Sequence, residues 1–367
     1  MDGPLWALGL MSGTSLDGVD VALIRTDGAR VEAFGPSLEM ALDAHTREAI
    51  DRTTKAALRW GFEGPMPNDF AATSQRVDIA HIAAVERYAD AYPEAFAQVE
   101  LIGYHGQTVL HRPDLGRTLQ LGQGQALADR FGVPCVFDFR SNDMARGGEG
   151  APLAPVYHRA LVREAGMEAG TCVLNLGGVG NATLFQPAFV ASDTGPGNGP
   201  LDQWMQRHGL PFDLDGRAAA AGTPDRERLA SWLDRGFFDR PVPRSADRYD
   251  FVTLSELEGL TLEDGAATLA RFTAEATAKT LSAWDVRLGG LIVCGGGRRN
   301  PVLMRMLEEA TGASVVAAEG LGWDGDALEA QAFAFLAVRS LRGLPLSYPG
   351  TTGVREAVSG GRVVYPA

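Results

Sequence analysis

The segment Gly9-Leu-Met-Ser-Gly-Thr-Ser-Leu-Asp-Gly-Val-Asp20 gathers, in one turn, the groups that handle phosphate. An apolar run from Leu5 to Met11 reads as a buried strand, and Val19 to Ile24 as a second. Between them stand glycines, hydroxyls and one carboxylate, Asp17. Such a hairpin offers backbone N–H groups and hydroxyls to phosphate oxygens. Its carboxylate can hold hydrated Mg²⁺ beside them. The same residues also suit an ordinary polar hairpin, so the recurrence of similar turns further along matters.

Asn175-Leu-Gly-Gly-Val-Gly-Asn181 is the counterpart of Gly13-Thr-Ser-Leu-Asp-Gly18, with glycines that let a backbone approach a ligand closely. Asp193-Thr-Gly-Pro-Gly-Asn198 leaves a strand and precedes a helix. An acid there is placed to serve as a base, or simply to cap the turn that follows. Cys294-Gly-Gly-Gly-Arg-Arg-Asn-Pro301 again joins strand to helix, with residues small enough for an adenine ring to lie flat on the backbone. No G-x-x-x-x-G-K-[ST] is present, so this is no P-loop. The near matches to G-x-G-x-x-G/A begin at Gly122, Gly148, Gly178 and Gly195, and fail at Leu127, Leu153, Thr183 and Pro200, which disfavours a dinucleotide fold. What remains is a nucleotide held by glycine hairpins from two domains.

The elements that position these turns fall into two similar halves. Strands near 5–11, 19–26 and 31–40 precede helical patterns near 43–59 and 69–92. Strands follow at 99–104 and 133–139, with a helix at 123–131 between them. The second half repeats the plan with strands at 171–176, 182–185 and 189–192. Helices at about 199–208, 224–235 and 263–284, a strand at 290–294 and a helix at 326–340 complete it. This alternation predicts two related α/β domains, 1–140 and 141–367, with the extreme C-terminus free to pack back on the first.

The 367 residues exceed a typical single core, and the 45% hydrophobic content is that of a globular chain. A formal charge of −13 argues against nucleic acid as a partner, because neutralising phosphates takes clustered Lys and Arg. Cys135, Cys172 and Cys294 sit in apolar runs, which predicts buried reduced thiols. No basic region precedes an apolar stretch at the N-terminus, and no run reaches the ~20 apolar residues of a membrane span. The expectation is a cytoplasmic protein that needs no membrane. Its oligomeric state stays open, a homodimer included.

Seven segments in this order resemble the actin/hexokinase/Hsp70 superfamily, and within it closely the 1,6-anhydro-N-acetylmuramic acid kinase family. They are 9–20, Gly103-Tyr-His-Gly-Gln-Thr108, Asp138-Phe-Arg-Ser-Asn-Asp143, Gly148-Glu-Gly-Ala-Pro-Leu153, 175–181, 193–198 and Cys294-Gly-Gly-Gly-Arg-Arg-Asn300. The resemblance implies two actin-like (ribonuclease H-like) domains with a nucleotide and sugar cleft between them. It also implies an ATP- and Mg²⁺-dependent enzyme of cell-wall recycling that opens the anhydro bridge with water and phosphorylates O6.

By the same resemblance, Asp193 is the base that activates water at C1. Asp17 holds the metal through water. Gly13, Thr14, Ser15, Leu16, Asp17, Gly18, Val19 and Asp20 meet the nucleotide, with Asn175, Gly177, Gly178, Gly180, Gly295, Gly296 and Gly297 doing so from the second half. Gln107, Arg140, Asp143 and Glu329 meet the sugar; an arginine suits its carboxylate and an amide its acetamide. Arg140 bridging domains and Glu329 capping its helix are the plainer readings. His105 and His111 receive no catalytic role.

One segment departs from the family pattern. In Pro241-Val-Pro-Arg-Ser-Ala-Asp-Arg-Tyr-Asp-Phe251, Arg244, Ser245, Arg248 and Phe251 fit, whereas Asp247 and Tyr249 do not. Two other functions stay open at this point. One is a kinase of another amino sugar acting through a free hydroxyl, with Asp193 as proton acceptor. The other is a non-catalytic sugar sensor or actin-like scaffold.

Overall fold

β1 (Leu5–Ser12) and β2 (Gly18–Thr26) pair antiparallel as the hairpin read from the sequence, and β3 (Val31–Ala41) extends it. The computed structural model describes residues 3–13, 15–167, 169–246 and 251–367, so Thr14 and the departures Asp247 and Tyr249 lie outside the described residues. α1 (Ala44–Trp60) starts where the Asp43 carboxylate accepts from the Thr46 N–H at 2.9 Å. α2 (Asp69–Ala91) and α3 (Pro93–Phe96) lead to β4 (Leu101–Arg112), much longer than the strand expected there. β5 (Arg117–Leu121), α4 (Gly124–Phe131), β6 (Cys135–Phe137), α5 (Ser141–Ala145) and α6 (Pro155–Glu164) follow.

The second sheet opens with β7 (Thr171–Leu176), β8 (Val179–Leu184) and β9 (Val190–Pro196). Then come α7 (Gly199–Arg207), α8 (Arg217–Ala221), α9 (Arg226–Leu233) and the long α10 (Leu262–Ser282). β10 (Gly290–Cys294), α11 (Pro301–Thr311) and β11 (Val315–Ala317) complete that unit. The chain then returns to the first through α12 (Leu328–Leu341), α13 (Pro349–Thr352) and β12 (Arg362–Val364).

Strand order is β12-β6-β4-β1-β2-β3 in the first sheet, with β5 on β4, and β11-β10-β7-β8-β9 in the second. Both follow one plan. An antiparallel meander of three strands gains parallel strands on the side of its first member: β4 and β6 beyond β1, and β10 and β11 beyond β7. The protein is thus built of two actin-like α/β units.

The expected boundary at 140/141 is corrected by the packing. One unit comprises the chain up to Glu164 together with Ala327–Ala367, and the other is Ala165–Asp326. The reason lies in α12, an alanine-rich helix buried almost throughout, which covers β1, β2 and β4. β12 then pairs with β6 at the sheet edge. A helix with no polar face must be enclosed, and the first sheet encloses it.

Each unit has its own core. Leu8, Leu10, Val21, Tyr88 and Ile102 belong to one, and Leu174, Trp204, Trp232, Leu269 and Phe272 to the other. Cys135, Cys172 and Cys294 are buried thiols that form no disulfide. Among the described residues no helix is long and apolar enough to cross a membrane.

Candidate functional site

The turn from Gly13 to Asp17 joins two central strands, so its ends are held by the ladder. The Leu16 N–H donates to the Gly13 carbonyl at 3.3 Å, and Leu16 takes a left-handed φ of 60°. Asp17 is exposed. Its Oδ1 accepts from the Ser15 hydroxyl at 2.8 Å and from the Gly18 N–H at 3.0 Å, while Oδ2 takes no hydrogen bond from the described residues. One hard oxygen aimed outward from a braced turn fits a hydrated Mg²⁺. Among the described residues no three His, Cys, Asp or Glu side chains gather into a metal cage. Val19 is placed differently from its neighbours: its side chain is 0% exposed and belongs to the core. Asp20 is half-buried on β2, opposite Met11 and Glu39.

In the same unit Gln107 reaches that turn. It is 1% exposed and donates Nε2 to the Gly13 carbonyl at 3.2 Å. Its Oε1 is buried with no donor among the described residues, an acceptor available to a ligand N–H. Arg140 donates from Nε and Nη2 to His105 Nε2 at 3.1 and 2.9 Å, and from Nη1 to the Gly150 carbonyl at 2.8 Å. Asp143 is buried and engaged by the protein itself. Its carboxylate accepts from the Gly150 N–H at 2.7 Å, from the Thr352 hydroxyl at 2.7 Å and from the Ser347 hydroxyl. Asp143 therefore clasps the 148–150 loop to the C-terminal segment. Glu329 is half-buried in the first turn of α12, where the helix dipole favours a carboxylate.

In the second unit Asp193 sits within β9 rather than at its end, opposite Asn181 just past a register shift in β8. It is 7% exposed. Its N–H donates to the Arg244 carbonyl at 3.0 Å, and its Oδ2 accepts from the Ala246 N–H at 2.8 Å. The 244–246 segment thus lies along β9 and aims the carboxylate.

Three glycine turns meet at one end of this sheet. The Asn198 N–H donates to the Gly177 carbonyl at 2.7 Å and the Gly197 N–H to the Gly178 carbonyl at 3.2 Å, which ties the β7–β8 turn to the β9–α7 loop. Asn175 is buried near the end of β7, between Asn181 and Cys294 on the flanking strands, and Gly180 follows it on β8. Gly295 has a φ of 74°, and a Cβ there would lie 2.4 Å from Asn175 Oδ1. Gly297 packs on Leu176, whereas a side chain at Gly296 would meet nothing within 4 Å. Gly296 is therefore the open face of this loop.

Three supporting residues were given no role from sequence. Arg298 donates to the Gly295 carbonyl at 3.0 Å while paired with Glu319 and Asp326, fixing the last turn. Its ion-pair partners lie more than twenty positions away, beyond any local signal. Arg244 is buried, donates to the Thr280 hydroxyl at 2.9 Å and the Arg240 carbonyl at 2.7 Å, and lies 4.5 Å over the Phe237 ring. Burial, helped by Arg240, draws its guanidinium below the usual range, and the nearby charge of Asp193 opposes that. Its fit to the family pattern was the available hint. His105 is the third; burial first, then the Arg140 cation, holds it well below the ordinary histidine range, hence neutral.

The comparisons with known proteins concern the whole chain. The family model for anhydro-N-acetylmuramic acid kinase matches residues 6–367. Anhydro-N-acetylmuramic acid kinase of Rhizorhabdus wittichii is 49% identical over 362 residues, covering 97% of each chain. The Caulobacter vibrioides protein of that name is 48% identical over 364 residues, covering 97% of this chain and 98% of its own. Among solved structures, component A of the (R)-2-hydroxyglutaryl-CoA dehydratase of Acidaminococcus fermentans overlaps with a TM-score of 0.49 at 11% identity, covering 92% of this chain and 99% of that one.

Proposed function

The chain belongs to the anhydro-N-acetylmuramic acid kinase family, and from that premise we propose that it spends ATP and water on 1,6-anhydro-N-acetylmuramic acid. The products are N-acetylmuramate 6-phosphate and ADP, made in the cytoplasm during peptidoglycan recycling. Ordinary sugar kinases use a carboxylate to take a proton from the attacking hydroxyl. In the anhydro sugar, O6 is an ether oxygen with no proton to lose. Water therefore attacks C1 from the face opposite O6, as in an inverting glycosidase. The C1–O6 bond breaks, its electron pair stays on O6, and O6 bonds to the γ-phosphorus as the bond to ADP breaks. Asp193 takes the proton of the water.

The observation that carries this reading is the fixed carboxylate of Asp193. One oxygen is anchored by the Ala246 N–H, in a sheet whose neighbouring glycine turns suit phosphate. An acid restrained in this way suits a base that must wait for one water. In this proposal the 13–18 turn, with Val19 and Asp20 behind it, receives nucleotide phosphate, as do Asn175, Gly177, Gly178 and Gly180, and Gly295–Gly297 receive the base. Mg²⁺, when bound, would neutralise charge on the phosphates, and Asp17 would hold it through water. Gln107 Oε1 accepts the acetamide N–H, Arg140 pairs with the lactyl carboxylate, and Glu329 touches the sugar. Asp143 acts by fixing Gly150, whose carbonyl steadies Arg140.

Mass spectrometry of the reaction with Mg-ATP in ¹⁸O-water tests the whole proposal. The expected product is heavier than the sugar by one phosphate and one water, with the label at C1. Phosphorylation of an ordinary amino sugar without uptake of water would instead make the protein a kinase acting through a free hydroxyl.

A further inference from the structure

His105 on β4 is buried, and its ring lies 4.5 Å, centroid to centroid, from that of Phe333 on α12. Its Nε2 faces two N–H groups of Arg140, Nε at 3.1 Å and Nη2 at 2.9 Å. A guanidinium has donors and no acceptor. Nε2 must therefore be the unprotonated nitrogen, and the ring proton must sit on Nδ1. Nδ1 is buried and makes no well-formed hydrogen bond among the described residues, with the Gly106 backbone beside it. His105 also lines a cavity of about 210 Å³ with Tyr104, Thr118, Gln120 and Asp138. On its other side Arg140 is anchored by the Gly150 carbonyl at 2.8 Å, so two acceptors on different segments hold one guanidinium.

We propose that His105 is a positioning residue that sets the plane of the Arg140 guanidinium for the anionic group of the sugar, an inference that rests on reading Arg140 as the carboxylate partner. A long arginine side chain pays rotamer entropy when it binds. One held flat before the ligand arrives has paid it already, and bidentate pairing demands a defined plane. Phe333 fixes the imidazole and the imidazole fixes the arginine. No lysine, and no residue without an acceptor at the Nε2 position, reproduces this chain of contacts.

The test compares His105→Phe, which keeps a ring against Phe333 and deletes the acceptor, with His105→Gln, whose amide oxygen restores one. Steady-state constants are measured with the anhydromuramic sugar and with its analogue lacking the lactyl carboxylate. His105→Phe should raise KM for the carboxylate sugar about 10- to 100-fold, the worth of hydrogen bonds to a charged group. It should leave KM for ATP and KM for the carboxylate-free analogue unchanged. His105→Gln should recover most of the loss.

Equal losses on both sugars, or no gain from His105→Gln, would overturn the proposal and leave His105 as packing. If His105→Phe does not fold, His105→Gln with normal constants beside a defective His105→Leu supports it, and equal defects in both refute it. A wild-type protein that turns over neither sugar marks a failure of the proposed function itself. A wild-type protein that turns over both, unaffected by either variant, marks a failure of this inference alone.

Discussion

Gly9 and Gly103 stand side by side on the parallel strands β1 and β4, and α12 lies directly on both. A Cβ on Gly9 would fall 1.8 Å from the Ala330 carbonyl oxygen, and one on Gly103 2.2 Å from that of Phe333. These two glycines are the contact surface for a helix. Their strands run on to the 13–17 turn and to Gln107, so the helix that rests on them also braces the site.

Gly9→Ala should therefore cost more than about 3 kcal/mol, since neither a sheet backbone nor a helix backbone can yield to a methyl group at that distance. Gly103→Ala should behave alike. Urea unfolding measures both, and a Gly9→Ala midpoint equal to that of the wild type would contradict the packing described.

Asp193→Asn should lower turnover by about 10²- to 10⁴-fold, the usual contribution of a positioned base. The amide oxygen can still accept from the Ala246 N–H, so the fold and ATP binding should persist. Product formation by mass spectrometry and ATP binding by calorimetry separate the two effects. A variant of wild-type rate would remove Asp193 from the chemistry.

Asp17→Asn should raise the Mg²⁺ concentration needed for half-maximal turnover while leaving thermal stability almost unchanged, because the side chain is exposed and braced by its own turn. A metal titration of the initial rate reads this directly. An unshifted titration would assign the ion to other groups.

Stability should fall in mild acid. Burial holds His81, His111 and His158 neutral, their pKa values drawn from an ordinary 6.5 to about 4, with the Arg140 cation as a further cause at His111. Between those values the unfolded chain binds protons that the folded chain refuses, so stability is complete above about 6.5 and declines as pH drops toward 4. Each histidine contributes a slope of at most about 1.4 kcal/mol per pH unit. Urea midpoints at a series of pH values should follow this trend, and His81→Phe should flatten it. An acid limb unchanged in that variant would exclude His81 as a contributor.

Local chemistry made much of this legible in advance. The apolar runs at 5–11 and 171–176 each empty into a glycine turn, and both became the first strand of a hairpin, because alternation and turn composition act over a few residues. The long amphipathic helices near 44–60 and 262–282 were equally plain. Shorter elements escaped. β5, β12 and α5 carry too few residues for a period to show, α6 went unread although it is longer than α4, and β12 exists because β6 offers it an open edge.

By itself the sequence determined the strand–turn–strand units, the order of the glycine loops and the chemical types at Asp17, Arg140 and Asp193, since these are properties of residues and their near neighbours. Only the tertiary structure decided that the chain returns to its first unit after Asp326, that Asp143 is a clasp, that Ala246 aims Asp193 and that His105 holds Arg140. The physical reason is distance along the chain. Burial of the largely apolar α12, and hydrogen bonds between residues tens of positions apart, are settled by which surfaces must be covered and which donors must be met once the backbone has closed.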